Sequence, residues 1–198
     1  FIMFLRLVES SCQLAGELVQ YAPSKPKLSP AQAQALLAGI ILDTKNFTLR
    51  VGVRTFEAAS YLRDCKADTV AVRKLFASSA EESTAVGKVV SDAEIFGNFT
   101  VSVADTDSPN IRLIASKAAD ELLNINNVDA SFVIFEANSC VNISARSLGK
   151  INVQLIMEAL GGGGHQSMAA CQLKDTDISQ AKTKLIDAVN SYFDKLKN

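Results

Sequence analysis

The spacing of apolar and polar positions divides this chain into a helical first part and a second part in which strands and helices alternate. Phe1 to Val8 is short, apolar and uncapped, and reads as a buried strand. Ser10 and Ser11 offer an N-cap to a helix over Cys12 to Tyr21, with Leu14, Leu18 and Tyr21 at helical spacing, and Pro23 and Pro26 end it. Ser29-Pro30 opens a second helix whose nearly all-apolar body, Ala33 to Ile41, suits a core position and delivers Asp43 at its end. A third helix is expected from Phe56 to Asp64, with Ala59 and Leu62 inward, and a short fourth from Val70 to Phe76. The polar stretch Ser78 to Glu82 then begins a connecting helix through Val90.

Beyond that helix, Ala93 to Phe96 and Phe99 to Val103 read as strands around Gly97-Asn98, a hairpin signal. Pro109 to Leu123 is a helix with Ile111, Ile114, Ala115, Ala118 and Leu122 on one stripe. Strands follow at Ala130 to Phe135 and Cys140 to Ala145, then a helix at Ile151 to Leu160, a strand at Met168 to Leu173 and a last helix from about Asp177 to Leu196. The expected class is α/β, with two small α/β lobes: residues 1–78, a connecting helix over 79–91, and residues 92–198 built on a mixed β-sheet flanked by helices.

Composition narrows the partner more than the fold. With 198 residues, 48% of them apolar, the chain can bury a real core. A formal net charge of −1 argues against a broad electrostatic grip on long nucleic acid and leaves room for a local basic pocket that takes a small phosphorylated ligand. The four cysteines lie far apart with no Cys-x-x-Cys pair, which suggests neither a disulfide framework nor a structural zinc site and points to a reduced, cytoplasmic setting. The opening run Phe1 to Leu5 is too short for a spanning helix or a signal peptide, so no membrane contact is expected of this chain, and a segment upstream is expected to have been removed.

Three stretches carry candidate chemistry. Gly161, Gly162, Gly163 and Gly164 precede His165, the single histidine. Such a run suits a backbone that must adopt positive φ or let a ligand approach closely, and its N–H groups could cradle an oxyanion such as phosphate. Gly161 is also a natural helix C-cap. About fifteen residues earlier, period-two alternation sends Ser144 and Arg146 to one face of a strand, with Ser147 next to them, so that a hydroxyl and a planar cationic fork can converge on one ligand. In the first lobe, Asp43 stands with Thr44, Lys45, Asn46 and Phe47 where an apolar helix emerges. Its carboxylate could be a hard ligand for Mg²⁺ or Mn²⁺, or could satisfy local turn donors. Lys45 could neutralise a phosphate, and Arg54 is either a phosphate contact or a solvated charge.

The strings Ile143-Ser144-Ala145-Arg146-Ser147, Ile151-Asn152-Val153 and Gly161 to His165 with Ala169-Ala170 resemble the DHH-associated C-terminal domain of DHH-family phosphoesterases. The stretch Leu36 to Phe47, with Arg54-Thr55-Phe56, resembles the later half of the DHH catalytic domain, and the combination is most similar to the cyclic di-AMP phosphodiesterases of the GdpP type. The resemblance implies that Asp43 ligates catalytic Mn²⁺ in a two-metal site, where a bridging water would be activated. It also implies that Ser144, Arg146, Ser147, the glycine run and His165 hold the nucleotide. The implied substrate is a cyclic dinucleotide, with short oligonucleotides as the nuclease-type alternative and nucleotide binding without catalysis as a third. Because the family's Asp-His-His triplet has no counterpart here, the expectation is a C-terminal piece of a longer, membrane-anchored phosphodiesterase, inactive when isolated. Association into a homodimer is compatible with this reading.

Overall fold

The computed structural model describes residues 10–24 and 26–197, and the strand expected over Phe1 to Val8 lies outside the described residues. The chain divides after Ser78 into two compact units. In the first, the Ser10 hydroxyl accepts from the N–H groups of Cys12 and Gln13 and so starts α1 (Ser11–Tyr21). A reciprocal pair of bonds between Ser29 and Gln32, with Pro30 in the first turn, starts α2 (Pro30–Asp43). Two further helices follow, α3 (Val53–Asp64) and α4 (Thr69–Leu75), the latter capped by Asp68. They pack around Ala33, Leu37 and Ile40 of α2, Ala58 and Leu62 of α3, and Val72 of α4. Burying each larger aliphatic side chain here contributes roughly 1.5–3 kcal/mol.

The helix expected as a connection is α5 (Ala80–Ser91), and it belongs to the second unit, where Val89 joins that unit's core. The unit's sheet runs through β1 (Glu94–Phe96), β2 (Phe99–Ala104), β3 (Ala130–Ala137), β4 (Cys140–Ser147), β5 (Gly163–His165) and β6 (Met168–Leu173), in spatial order β1-β2-β3-β4-β6-β5. Only the β2–β3 pairing is parallel, and a parallel pair needs a crossover. That crossover is α6 (Ile111–Leu122). Asn138 and Ser139, at φ 55° and 57°, form the two-residue hairpin turn between β3 and β4 that favours two positive φ values.

Alternation along the strands separates the two faces. Phe132 and Ile134 of β3, Ile143 and Ala145 of β4, and Ala169 and Cys171 of β6 are buried with α7 (Val153–Ala159) and α8 (Ile178–Lys197). Val133 and Phe135 are buried with α5 and with Ile114, Ala115, Ala118 and Leu122 of α6. The α5–α6 layer stops short of the far edge, because on β6 the residues of that face, Met168, Ala170 and Gln172, are exposed. The sheet is thus covered on one side and only partly covered on the other. Among the described residues, no helix is long and apolar enough to cross a membrane.

Candidate functional site

Strand register sets the solvent-facing residues of β6 and β5 beside buried polar residues of β4. Arg146 of β4 stands opposite Met168 of β6, and Met168 opposite His165 of β5. Ser144, Ala170 and Gly163 form the next row, and Asn142 with Gln172 the third. Rows two residues apart are about 6.7 Å apart along the strands, and strands are about 4.8 Å apart. The middle row holds only a hydroxymethyl, a methyl and a hydrogen. It therefore lies lower than the rows on either side, a shallow trough with Arg146, Met168 and His165 along one bank.

Helix α6 forms the trough's side wall. Arg112, Ser116 and Asp120 recur at i, i+4 and i+8, on one stripe about 12 Å long, which matches the roughly 13 Å from residue 142 to 146 along a strand. Arg112 donates to Asn142 Oδ1 at 3.1 Å, and Arg146 donates to Ser116 Oγ. The Arg146 guanidinium also gives a hydrogen bond to its neighbour's carbonyl, Ala145 O, at 2.9 Å and lies 3.2 Å from Asp120 Oδ1. Its Nε–H is buried and not aligned on any acceptor among the described residues. Arg146 is thus a held, charge-compensated group at 7% exposure, and Ser144, at 9%, shares its face. Ser147 takes the opposite parity: it is fully buried, and its hydroxyl accepts from the Gly149 N–H at 3.0 Å, so the structure does not bring it to Ser144 and Arg146.

The glycine run has three local duties. Gly161, at φ 79°, follows the helix cap Leu160, and the N–H groups of Gly161 and Gly162 bond Glu158 O and Met157 O, the paired pattern that closes a helix C-terminus. Those two donors are consumed, which corrects the expectation that the whole run is a bare oxyanion cradle. A Cβ on Gly162 would overlap Ala170 O and Cys171, and one on Gly164, at φ 151°, would overlap Ala169 and Met168 O. These two glycines let β5 close on β6. Gly163 has open space where a Cβ would stand, and it forms the floor of the trough. His165 is exposed beside it. Beneath the strand, burial pushes the Cys171 thiol up to about 11, which keeps it protonated and unreactive at neutral pH.

In the first unit, Lys45, Asn46 and Phe47 take φ values of 47°, 56° and 60°, three consecutive left-handed non-glycine residues. Each costs on the order of 1–2 kcal/mol, so such a turn persists only when its surroundings impose it. Thr44 does so: its buried hydroxyl donates to Ile40 O at 2.7 Å and accepts from the Phe47 N–H at 3.1 Å, while its carbonyl accepts from Thr48 and Leu49. Phe47 stacks on Phe56 at 5.5 Å. Asp43 is exposed at the mouth of this turn and accepts from the Ser10 hydroxyl at 2.6 Å. Nearby, burial first and the Asp43 charge second push the Cys12 thiol up. Arg54 lies inside α3, not before it, and pairs with Glu17, which is itself bonded by Gln13 Nε2 at 2.9 Å. Thr55 donates to Gln13 Oε1 at 2.9 Å and completes a buried polar chain.

A divalent cation of the Mg²⁺ or Mn²⁺ kind needs several oxygen ligands. Among the described residues no three His, Cys, Asp or Glu side chains converge. Asp43 fits one ligand of such a centre, and the described residues do not fit the centre itself. The residues that sequence reasoning missed are Arg112, Asn142 and Gln172, together with Met168. The i, i+4, i+8 stripe of α6 and the alternation of Met168, Ala170 and Gln172 were the signals for them. A separate concavity of about 480 Å³, bounded by Lys88, Asp92, Glu94, Ser102 and Lys182, lies at the β1–β2 side of the sheet, away from β5.

Comparison with known proteins bears on this surface. The model of the DHHA1 domain matches residues 96–195, a span that takes in all three rows and the α6 wall. Over 186 residues, 93% of this chain, the sequence is 45% identical to the cyclic-di-AMP phosphodiesterase PdeA of Listeria monocytogenes. Over 187 residues, again 93% of the chain, it is 46% identical to the cyclic-di-AMP phosphodiesterase GdpP of Geobacillus thermodenitrificans. The chain spans 28% of the length of each of these two relatives. Its fold is similar to that of an exopolyphosphatase-related protein from Bacteroides fragilis, with a TM-score of 0.84 at 22% identity, covering 98% of this chain and 59% of that one. The rows of β4, β6 and β5 and the glycine-histidine run that shapes them lie within the span matched by the DHHA1 domain, and the chain belongs to that family.

Proposed function

We propose that this chain is the nucleotide-holding part of a phosphodiesterase that opens cyclic di-AMP to a linear dinucleotide. The observation that carries the reading is the trough: small side chains in its middle row, a buried guanidinium and an exposed imidazole along one bank, and a floor glycine with no packing reason to lack a side chain. The high identity to two proteins named as cyclic-di-AMP phosphodiesterases supports the choice of ligand. In this reading Arg146 sets the position of a phosphate oxygen, Ser144 offers a hydroxyl beside it, and His165 donates to the ligand or stacks on a base. Gly163 keeps the floor low enough for the ligand to touch the strands.

Hydrolysis breaks one phosphorus–oxygen bond of the ring and joins a water oxygen to that phosphorus, leaving a terminal phosphate and a free hydroxyl. A divalent cation, Mn²⁺ in this proposal, supplies Lewis-acid polarisation when bound, and Asp43 is the residue of this chain that would ligate it. Asp43 is exposed at the end of α2, just before the left-handed turn, and Lys45 and Arg54 are the proposed candidates for phosphate charge. The setting is proposed to be cytoplasmic.

Calorimetry with cyclic di-AMP on the wild-type chain, Arg146→Ala and His165→Ala tests the binding half. Binding by the wild type and a loss of about tenfold or more in either variant is expected, the scale of a charge-assisted hydrogen bond. Equal heats in all three sink the trough as the nucleotide site. For the catalytic half, Asp43→Asn in the full-length protein is expected to abolish Mn²⁺-stimulated release of the linear product while binding to the chain persists.

A further inference from the structure

We propose that Arg112 and Gln172, both anchored on the Asn142 side chain, form a second anion-recognising subsite at the far bank of the trough, for the other phosphate of a two-phosphate nucleotide. This rests on the reading of the trough as a nucleotide site. Asn142 is 2% exposed, and its amide is fully used. Its Oδ1 accepts from Arg112 Nη1 at 3.1 Å and Gln172 Nε2 at 2.9 Å, while its Nδ2 donates to Cys140 O at 2.8 Å and Ala137 O at 3.3 Å. A buried amide with all four valences occupied is a fixed peg, and it holds two longer side chains at the surface in a set orientation.

Arg112 is exposed, and its guanidinium carbon lies 6.0 Å from the centre of the Phe135 ring. Ring and amide together pre-position the cationic fork, so less side-chain freedom is lost when an anion binds. No carboxylate among the described residues pairs with it, whereas Arg146 on the opposite bank has Asp120 against it. The two guanidinium groups therefore differ in kind. Arg146 is neutralised and buried, suited to fixing geometry, and Arg112 brings an uncompensated positive charge, suited to an anion that arrives from solvent. Asn142 and Arg146 are four residues apart on β4, about 13 Å, with the small middle row between them. A single phosphate held at Arg146 leaves Arg112 for a second anionic group, which a ligand with two phosphates supplies and a mononucleotide does not.

The test is calorimetry on the whole chain with three probes: cyclic di-AMP, the linear 5′-phosphorylated di-adenylate, and AMP. Arg112→Ala is expected to weaken both two-phosphate probes by on the order of tenfold and to leave AMP unchanged. Arg112→Gln, which keeps a donor for Asn142 and loses the charge, should show the same selective loss with an unchanged melting temperature. Wild-type affinity for the two-phosphate probes in both variants, or an equal loss for AMP, overturns the subsite. If that happens while Arg146→Ala still loses every probe, the trough reading stands alone. If the wild type binds none of the three, both fall.

Discussion

Gly163 and Gly164 are adjacent and chemically identical, yet a methyl group added to each meets different surroundings. On Gly164 it would overlap β6 at a φ of 151°, and on Gly163 it would project into open space over the trough. Gly164→Ala is therefore expected to destabilise the second unit by about 1–3 kcal/mol, read from urea unfolding. Gly163→Ala is expected to unfold as the wild type does and to lose cyclic di-AMP affinity, read by calorimetry. Unchanged binding in Gly163→Ala would show that the floor does not meet the ligand. Sequence made the glycine run and His165 conspicuous, and it could not assign one duty to each residue. The duties depend on which β6 atom lies opposite each glycine, and that is a matter of strand register.

Among the elements, the turn after α2 is the one under most local tension. Three left-handed residues in succession are held by the hydroxyl and carbonyl of Thr44. Thr44→Val keeps the shape and removes both hydroxyl bonds, so a loss of about 1–2 kcal/mol is expected in denaturant unfolding of the chain. Full retention of stability would show that the turn is imposed by something else. The element boundaries were legible where chemistry marks them: Ser29-Pro30 at the start of α2, Gly97-Asn98 between β1 and β2, and the apolar stripe of α6 from Ile111 to Leu122. Strand β5 was not legible, because Gly163-Gly164-His165 has no β-forming preference of its own and becomes a strand only through pairing with β6. The shared parity of Ser144 and Arg146 could be read from alternation. Their cover by α6 could not, since it depends on the β2–β3 crossover.

On the scale of the whole second unit, Asp129 ties three segments together. Its carboxylate accepts from Lys150 at 2.9 Å and from Asn98 Nδ2 at 3.1 Å, and its backbone bonds Asn98 and Leu148. The hydrogen bond from Lys150, then that from Asn98, holds its pKa below the usual aspartate value. A depressed folded-state pKa contributes stability above the unfolded value of about 3.9, and that contribution is lost as pH falls through the folded value. With Lys150 exposed, the contribution is no more than ~1 kcal/mol. Melting temperatures measured as pH is lowered towards about 3 should fall less steeply in Asp129→Asn than in the wild type, and parallel curves would contradict the assignment.

The helix stop at Gly161 and Gly162 also counts residues. From that stop to the imidazole the chain has a set number of steps, and on a pleated strand each step reverses the side on which a side group emerges. One glycine more or fewer would leave the composition of the motif almost untouched and deliver the imidazole to the layer beneath, among the aliphatic side chains of α7 and α8. The length of the run, rather than its flexibility, is what aims His165.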